Sequence, residues 1–101
     1  MPKLDHDNFQ QDFDDWIEIR VQLTDLFKDK RKPTTELMEN GIVLLANVLE
    51  KAEGADPLNF EERFAFIKKN RHSYAAFRQL DELFNETKKK IARLRVMETQ
   101  K

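Results

Sequence analysis

Apolar residues recur at intervals of three and four along four stretches of this 101-residue chain. That spacing places them on one face of an α-helix and predicts helices over residues 7–30, 35–53, 59–69 and 73–97. In the first stretch Ile17, Ile19, Val21 and Leu23 alternate, which is typical of a strand. We still expect a helix there, because the chain offers no second strand to pair with it.

Short breaks separate the four stretches. Pro33 ends the first, and Gly54 is a plausible left-handed residue at the end of the second. Asn59 followed by Glu62 predicts a capping box at the start of the third helix. The hydroxyl of Ser73, the only serine, is expected to cap the fourth.

The second and fourth stretches predict the architecture. The second is apolar on more than one face and indicates a central helix, in which Gly41 allows close approach by a neighbour. The fourth, about 25 residues or ~37 Å long, exceeds the diameter of a ~30 Å globule, so its C-terminal third should overhang or meet a partner. Its heptad-like seam consists of Phe77, Leu80, Phe84, Thr87, Ile91 and Leu94. We therefore predict an all-α, four-helix single domain over residues 1–101, with frayed ends at about 1–6 and 98–101.

Composition narrows the biological setting. The chain has no cysteine, which excludes disulfides and thiolate metal sites. No run approaches the ~18–20 apolar residues of a membrane span, and the first nine residues lack the apolar core of a signal peptide. We expect a cytoplasmic protein that does not enter a membrane.

The residues that could support catalysis are few. His6 lies between two aspartates, which could hold a cation weakly, but a frayed terminus explains it better. His72 is adjacent to Arg71 and Tyr74, yet neighbours in sequence point in different directions on a helix. The two glycines cannot form a phosphate-binding loop. We therefore expect no enzymatic activity, no cofactor and no metal, unless Arg71, His72 and Tyr74 converge in a pocket.

Charge is distributed unevenly along the chain. The formal charge is −1 overall, but residues 1–30 carry −4 and residues 61–101 carry +5. The basic end of the fourth helix suggests a non-enzymatic interaction or adaptor module that binds a protein or a second copy of itself. The alternative is a nucleic-acid-binding accessory protein, which the sequence pI of about 6.1 disfavours. A third interpretation is that these cations only complement the helix dipole and stay solvated, and that the seam packs within the domain. The residues expected to carry partner binding are Lys88, Lys89, Lys90, Ile91, Arg93, Leu94 and Arg95.

A family resemblance adds to this picture. Residues 59–93 carry this resemblance. The matching positions are Arg63, Ile67 and Tyr74, together with the aromatic-Gln-Leu and Glu-Leu-Phe runs of residues 77–84. This stretch resembles the YpoC-like proteins of Firmicutes. The resemblance implies a bacterial, cytoplasmic protein, and that family has no established activity, catalytic residue or cofactor. Its members tend to be encoded near replication and repair genes, which favours the nucleic-acid alternative by association.

Overall fold

Four α-helices make up the fold. The structure is a computed structural model that describes residues 6–30 and 32–99. The helices are α1 (His6–Lys28), α2 (Thr35–Lys51), α3 (Phe60–Lys69) and α4 (Tyr74–Thr99). The all-α, four-helix prediction is confirmed, with each helix end within two residues of its predicted position. The predicted frayed ends lie largely outside the described residues.

The alternating stretch in α1 is helical. Leu23 is fully buried, whereas Ile17 and Val21 are about half exposed. A helix explains this difference, because residues 16, 23 and 27 share one face and residues 17 and 21 lie on another. The choice of helix over strand for this segment is therefore correct.

Helix α1 runs antiparallel to both α2 and α4. An ion pair from Lys51 to Asp12 ties the end of α2 to the start of α1. At the other end of α1, the ring of Phe27 contacts Tyr74 at the start of α4. The helix that packs against all three others is α4, while α2 packs mainly against α1 and α4. We expected α2 to be the central helix. Helix α4 is more central than α2, because it packs against all three other helices.

Trp16 occupies the junction of three helices. Its ring stacks on Phe84 of α4, with centroids 4.3 Å apart and an interplanar angle of 9°. A Cβ atom at Gly41 of α2 would lie 2.8 Å from Trp16 Cζ3 and 3.0 Å from Leu80 Cδ2. The predicted close approach at Gly41 is confirmed, and its neighbours are Trp16 and Leu80.

The seam of α4 belongs to the core of the domain. Phe77, Phe84 and Ile91 are each at most 4% exposed, and Leu94 packs partly against the same core. Toward the C-terminal end of α4, large apolar side chains become more than half exposed only beyond this point, at Val96 and Met97. The projecting part of α4 is therefore shorter than the predicted C-terminal third.

The predicted caps have mixed outcomes. The backbone N–H of Ala76 donates to Ser73 Oγ at 3.1 Å, so the serine cap of α4 is confirmed. The capping box is wrong: Asn59 has φ 56° and makes no side-chain cap bond to α3. Gly54 has the expected positive φ of 85°, but α2 already ends at Lys51.

None of the helices in the described part of the chain has the length and apolar character needed to cross a lipid bilayer.

Thr87 offers a test of core packing. Its side chain is fully buried, and its hydroxyl has no hydrogen-bond partner among the described residues. Thr87→Val removes an unsatisfied polar group at nearly constant shape, so we expect the free energy of unfolding to rise by about 1 kcal/mol. Urea denaturation measures this change. Thr24→Val is the control, because that exposed hydroxyl donates to the Arg20 carbonyl at 2.8 Å, and a change within about 0.5 kcal/mol is expected. Destabilisation by Thr87→Val would contradict this description of the core.

Ile91 and Met97 test where α4 leaves the core. Ile91→Asp places a carboxylate among apolar side chains and should destabilise the domain by more than about 3 kcal/mol. Met97→Asp, at a side chain 56% exposed, should leave the thermal unfolding curve nearly unchanged. Circular dichroism during heating distinguishes the two. Equal stability of both variants would show that the seam is not core.

Candidate partner-binding surface

The basic end of α4 divides between two sides of the helix. Lys88 and Arg95 lie toward α1, where they line a small cavity with Phe9 and Phe13. Lys88 Nζ lies 5.8 Å from the centroid of the Phe13 ring. The other three predicted cations, Lys89, Lys90 and Arg93, line a groove on the opposite side. The cluster that looks continuous in sequence is therefore two separate groups.

The two apolar residues predicted to bind a partner are occupied within the fold. Ile91 is 2% exposed and belongs to the core, so its side chain cannot contact a partner without unfolding. Leu94 packs partly against the same core. The interpretation that the seam packs within the domain fits these positions.

The second group of cations borders a groove next to the α2–α3 connection. This groove, of about 340 Å³, is called the loop groove, and its lining residues are Pro57, Leu58, Glu86, Lys89, Lys90 and Arg93. The Leu58 side chain is 76% exposed at its edge. Lys90 Nζ donates to the backbone carbonyl of Asp56 at 2.6 Å, which ties the connection to α4. An apolar side chain and three cations thus meet in one concave surface.

Two of the cations in the loop groove are available to a ligand. Lys89 and Arg93 are one turn apart on α4, and both are exposed. Neither makes a hydrogen bond or an ion pair with another residue in the described part of the chain. The groove therefore presents two cations without an ion-pair partner among the described residues beside an exposed leucine.

Arg63 of α3 holds the walls of the loop groove together. Its Nη1 and Nη2 atoms donate to the two carboxylate oxygens of Glu86 on α4, at 3.0 and 2.5 Å. Its Nε donates to Gln79 Oε1 at 3.1 Å, and Nη1 also donates to the Leu58 carbonyl at 3.0 Å. One guanidinium group thus joins α3, α4 and the backbone of Leu58.

The same contacts shift two pKa values. The hydrogen bond from Arg63 lowers the pKa of Glu86 against the opposing effect of burial, and the charges of Arg63, Lys89 and Lys90 lower it further. In return, the hydrogen bond to Glu86 raises the pKa of Arg63. Both groups are therefore charged at neutral pH, which keeps the bidentate pair intact.

The residues that could have supported catalysis do not converge. Arg71 Nε pairs with Glu39 Oε1 of α2 at 3.0 Å, whereas Tyr74 packs against Phe27 of α1. His72 is exposed. The side chain of His6 lies outside the described residues. Across residues 6–30 and 32–99, no group of three His, Asp or Glu side chains could hold a metal ion.

Sequence reasoning missed Leu58 and the Arg63–Glu86 pair. Leu58 lies in a connection, where hydrophobic periodicity carries no information about exposure. The partner of Arg63 lies 23 residues further along the chain, and no local spacing relates the two residues.

Comparison with known proteins gives one match. The model of a family described as YpoC-like protein matches residues 6–99, which is most of the chain. This match extends the resemblance found over residues 59–93 to all four helices. No curated protein and no solved structure matches the chain.

The lowered pKa of Glu86 predicts a pH-dependent contribution to stability. The pKa of Glu86 in the folded state lies below its pKa in the unfolded chain, which is about 4.3. The contribution to stability is therefore fully present at pH values above the unfolded pKa, and it is lost as pH falls through the folded pKa. Glu86→Gln should therefore lower the free energy of unfolding at pH 7, by less than about 1 kcal/mol because Glu86 is 40% exposed and solvent screens the pair.

Urea denaturation of wild type and Glu86→Gln at about pH 7, 5 and 3 measures the difference in their free energies of unfolding. These pH values lie on both sides of the unfolded pKa. The difference should shrink toward zero at the lowest pH. Glu50→Gln, at an exposed site on α2, provides the control and should show a small difference throughout. A Glu86→Gln difference that persists or grows in acid would be inconsistent with the ion pair.

Proposed function

Because the chain belongs to the YpoC-like protein family, whose description names no activity, we propose its function from its own surface. The protein is a non-enzymatic interaction module, and the loop groove binds an acidic segment of a partner protein. This assignment keeps the basic end of α4 as the binding element and adds the connection around Leu58 to it. We expect this interaction to take place in the cytoplasm.

The observation that carries the proposal is the exposed Leu58 side chain beside Lys89 and Arg93. A single exposed leucine on a protein surface needs no explanation. Here it borders a groove in which two of the three cations, Lys89 and Arg93, make no hydrogen bond or ion pair with another described residue. A segment with one apolar side chain and flanking carboxylates would cover the leucine and pair with both cations.

The groove is held in shape before any partner arrives. Arg63 binds the Leu58 carbonyl, and Lys90 binds the Asp56 carbonyl, so the connection is attached to both α3 and α4. A surface that is already ordered loses little conformational freedom on binding. A rigid groove of this kind supports recognition of a short peptide segment.

Several features favour a protein over a nucleic acid as the partner. Glu86 lies in the same groove, and the α4 cations are divided between two sides of the helix. Single-stranded nucleic acids bind along continuous basic tracks with aromatic side chains on which bases stack. No aromatic side chain lines the loop groove.

A phage-displayed library of random peptides tests the proposal without assuming a sequence. Peptides selected on wild-type protein should carry carboxylates around an apolar residue, and the Lys89→Glu/Arg93→Glu double variant should bind them at least about tenfold more weakly. Leu58→Ala should weaken binding by a smaller factor, because it removes apolar contact but no charge. Fluorescence anisotropy with labelled peptides measures these affinities.

The matched control is Lys28→Glu/Lys30→Glu, which makes the same charge change at exposed positions near the end of α1. It should leave peptide affinity nearly unchanged. Selected peptides without excess acidic residues, or equal losses in both double variants, would refute the groove as the site. Tight binding of labelled single-stranded DNA at ~50 mM salt that disappears at ~200 mM would support the nucleic-acid alternative instead.

A further inference from the structure

The first half of α1 carries a concentration of negative charge. Residues 11–19 contain four carboxylates and no lysine or arginine. Asp12 pairs with Lys51 of α2, and the other three carboxylates belong to exposed or half-buried residues. The next cation along the chain, Arg20, approaches Asp81 of its own copy at 3.9 Å. This part of α1 therefore presents acidic groups to solvent without matching cations.

Two of these acids and a valine form a line along α1. Asp14, Glu18 and Val21 are all exposed, and they follow one another at intervals of four and three residues. That spacing places them on one side of the helix. Asp14 accepts a hydrogen bond only from the neutral amide of Gln10, and the Glu18 carboxylate makes no bond with another described residue. We call Asp14, Glu18 and Val21 the acidic stripe, and Ile17, 46% exposed, lies at its edge.

The same spacing recurs at the loop groove with the opposite charge. Lys89, Arg93 and Val96 of α4 are exposed and also follow one another at intervals of four and three residues. We call these three residues the basic stripe, and Leu58 lies at its edge across the groove. Val96 is 54% exposed, as is Val21 of the acidic stripe. The one acid in the groove belongs to the Arg63–Glu86 pair, so it does not cancel the two cations of the stripe.

The equal spacing of the two stripes identifies a partner for the loop groove. We infer that the acidic stripe of one copy of the chain binds the basic stripe of a second copy, with the two helices parallel. The two acids then face the two cations in the same order, and the two valines pack against each other. This inference rests on the proposed function, because α1 of the second copy is the carboxylate-bearing segment that enters the groove.

The valines determine the direction of the docked helix. In an antiparallel arrangement the charges would still pair, but Val21 would face Glu86, and Val96 would face Gln11. Both valines would then be covered by polar groups. In the parallel arrangement each valine is covered by the other, and the edge of the acidic stripe with Ile17 lies beside Leu58. Apolar burial therefore favours the parallel direction.

The contact joins two different surfaces, so its assembly is open. Each copy in a pair keeps one unoccupied groove or one unoccupied stripe at its outer side, and further copies add until a ring closes. The acidic stripe spans only about 10 Å of helix, which makes the contact smaller than the ~800 Å² per partner of a typical stable complex. We therefore expect assemblies that dissociate on dilution. An acidic segment of another protein would compete for the same groove.

Sedimentation equilibrium of the full chain over a wide concentration range tests the inference. The average mass of wild type should rise above that of the monomer as concentration increases. Lys89→Gln/Arg93→Gln removes the charge of the groove, and Asp14→Asn/Glu18→Gln removes the charge of the stripe. Each should raise the dissociation constant at least about tenfold. An equimolar mixture of the two should regain association but stop at one-to-one pairs, because only one intact groove and one intact stripe remain in each pair.

The matched control is Glu36→Gln/Glu50→Gln, which removes two carboxylates at exposed positions of α2 and should leave the mass distribution unchanged. Peptides selected on the loop groove should dissociate the wild-type assemblies. A wild type that stays monomeric yet binds those peptides would overturn this inference and leave the proposed function standing. A wild type that binds neither peptides nor a second copy would overturn both. Association that persists in both double variants would also overturn the inference, since another surface would carry it.

A charge exchange at the two valines tests the parallel direction. Val21→Lys brings a cation against the basic stripe, and Val96→Glu brings a carboxylate against the acidic stripe, so each variant alone should associate more weakly. In an equimolar mixture the new lysine faces the new glutamate, and association should recover. Both positions are 54% exposed, so each variant should show the melting curve of a folded domain. Failure of the mixture to recover association would overturn the parallel arrangement.

Discussion

The position of Trp16 determines the arrangement of three helices. Its indole ring stacks on Phe84, and its Nε1 donates to Asp81 at 3.0 Å, so one side chain fixes α1 against α4 by both dispersion and a hydrogen bond. The opposite contact is with Gly41, whose missing side chain lets α2 approach the same ring. At 4% exposure the indole loses its hydration, and the bond to Asp81 compensates for that loss. The relative position of α1 and α4 follows from these contacts.

A second attachment works in the same way on the other side of α4. Arg63 joins α3 and the connection after α2 to Glu86, as Trp16 joins α1 to Asp81. In both cases a donor that is distant in sequence meets a carboxylate on α4. Some charged groups on α4 therefore hold the domain together, whereas others remain exposed at its surface. Counting lysines and arginines along the helix does not distinguish these uses.

Hydrophobic periodicity predicted the helices well, because the faces of α1 and α4 repeat without interruption. It also located Gly41 as a point of close approach. It could not show whether the seam of α4 meets its own domain or another molecule, since Ile91 would be covered in either case. The division of Lys88 from Lys89 depends on where α1 and the connection lie around α4. That placement is set by contacts 65 and 23 residues apart in sequence, which no local pattern contains.

The contact between Trp16 and Gly41 also constrains how sequences of this kind can diverge. Any side chain at position 41 would bring its first carbon within 2.8 Å of the indole ring, closer than real contacts allow. Substitutions at positions 16 and 41 are therefore coupled. Among homologues, those with tryptophan at the α1 position should keep glycine opposite it, and those with a larger residue there should carry a smaller ring or an aliphatic side chain. A mutation at either site alone would have to be followed by a change at the other, so that the pair evolves as one unit.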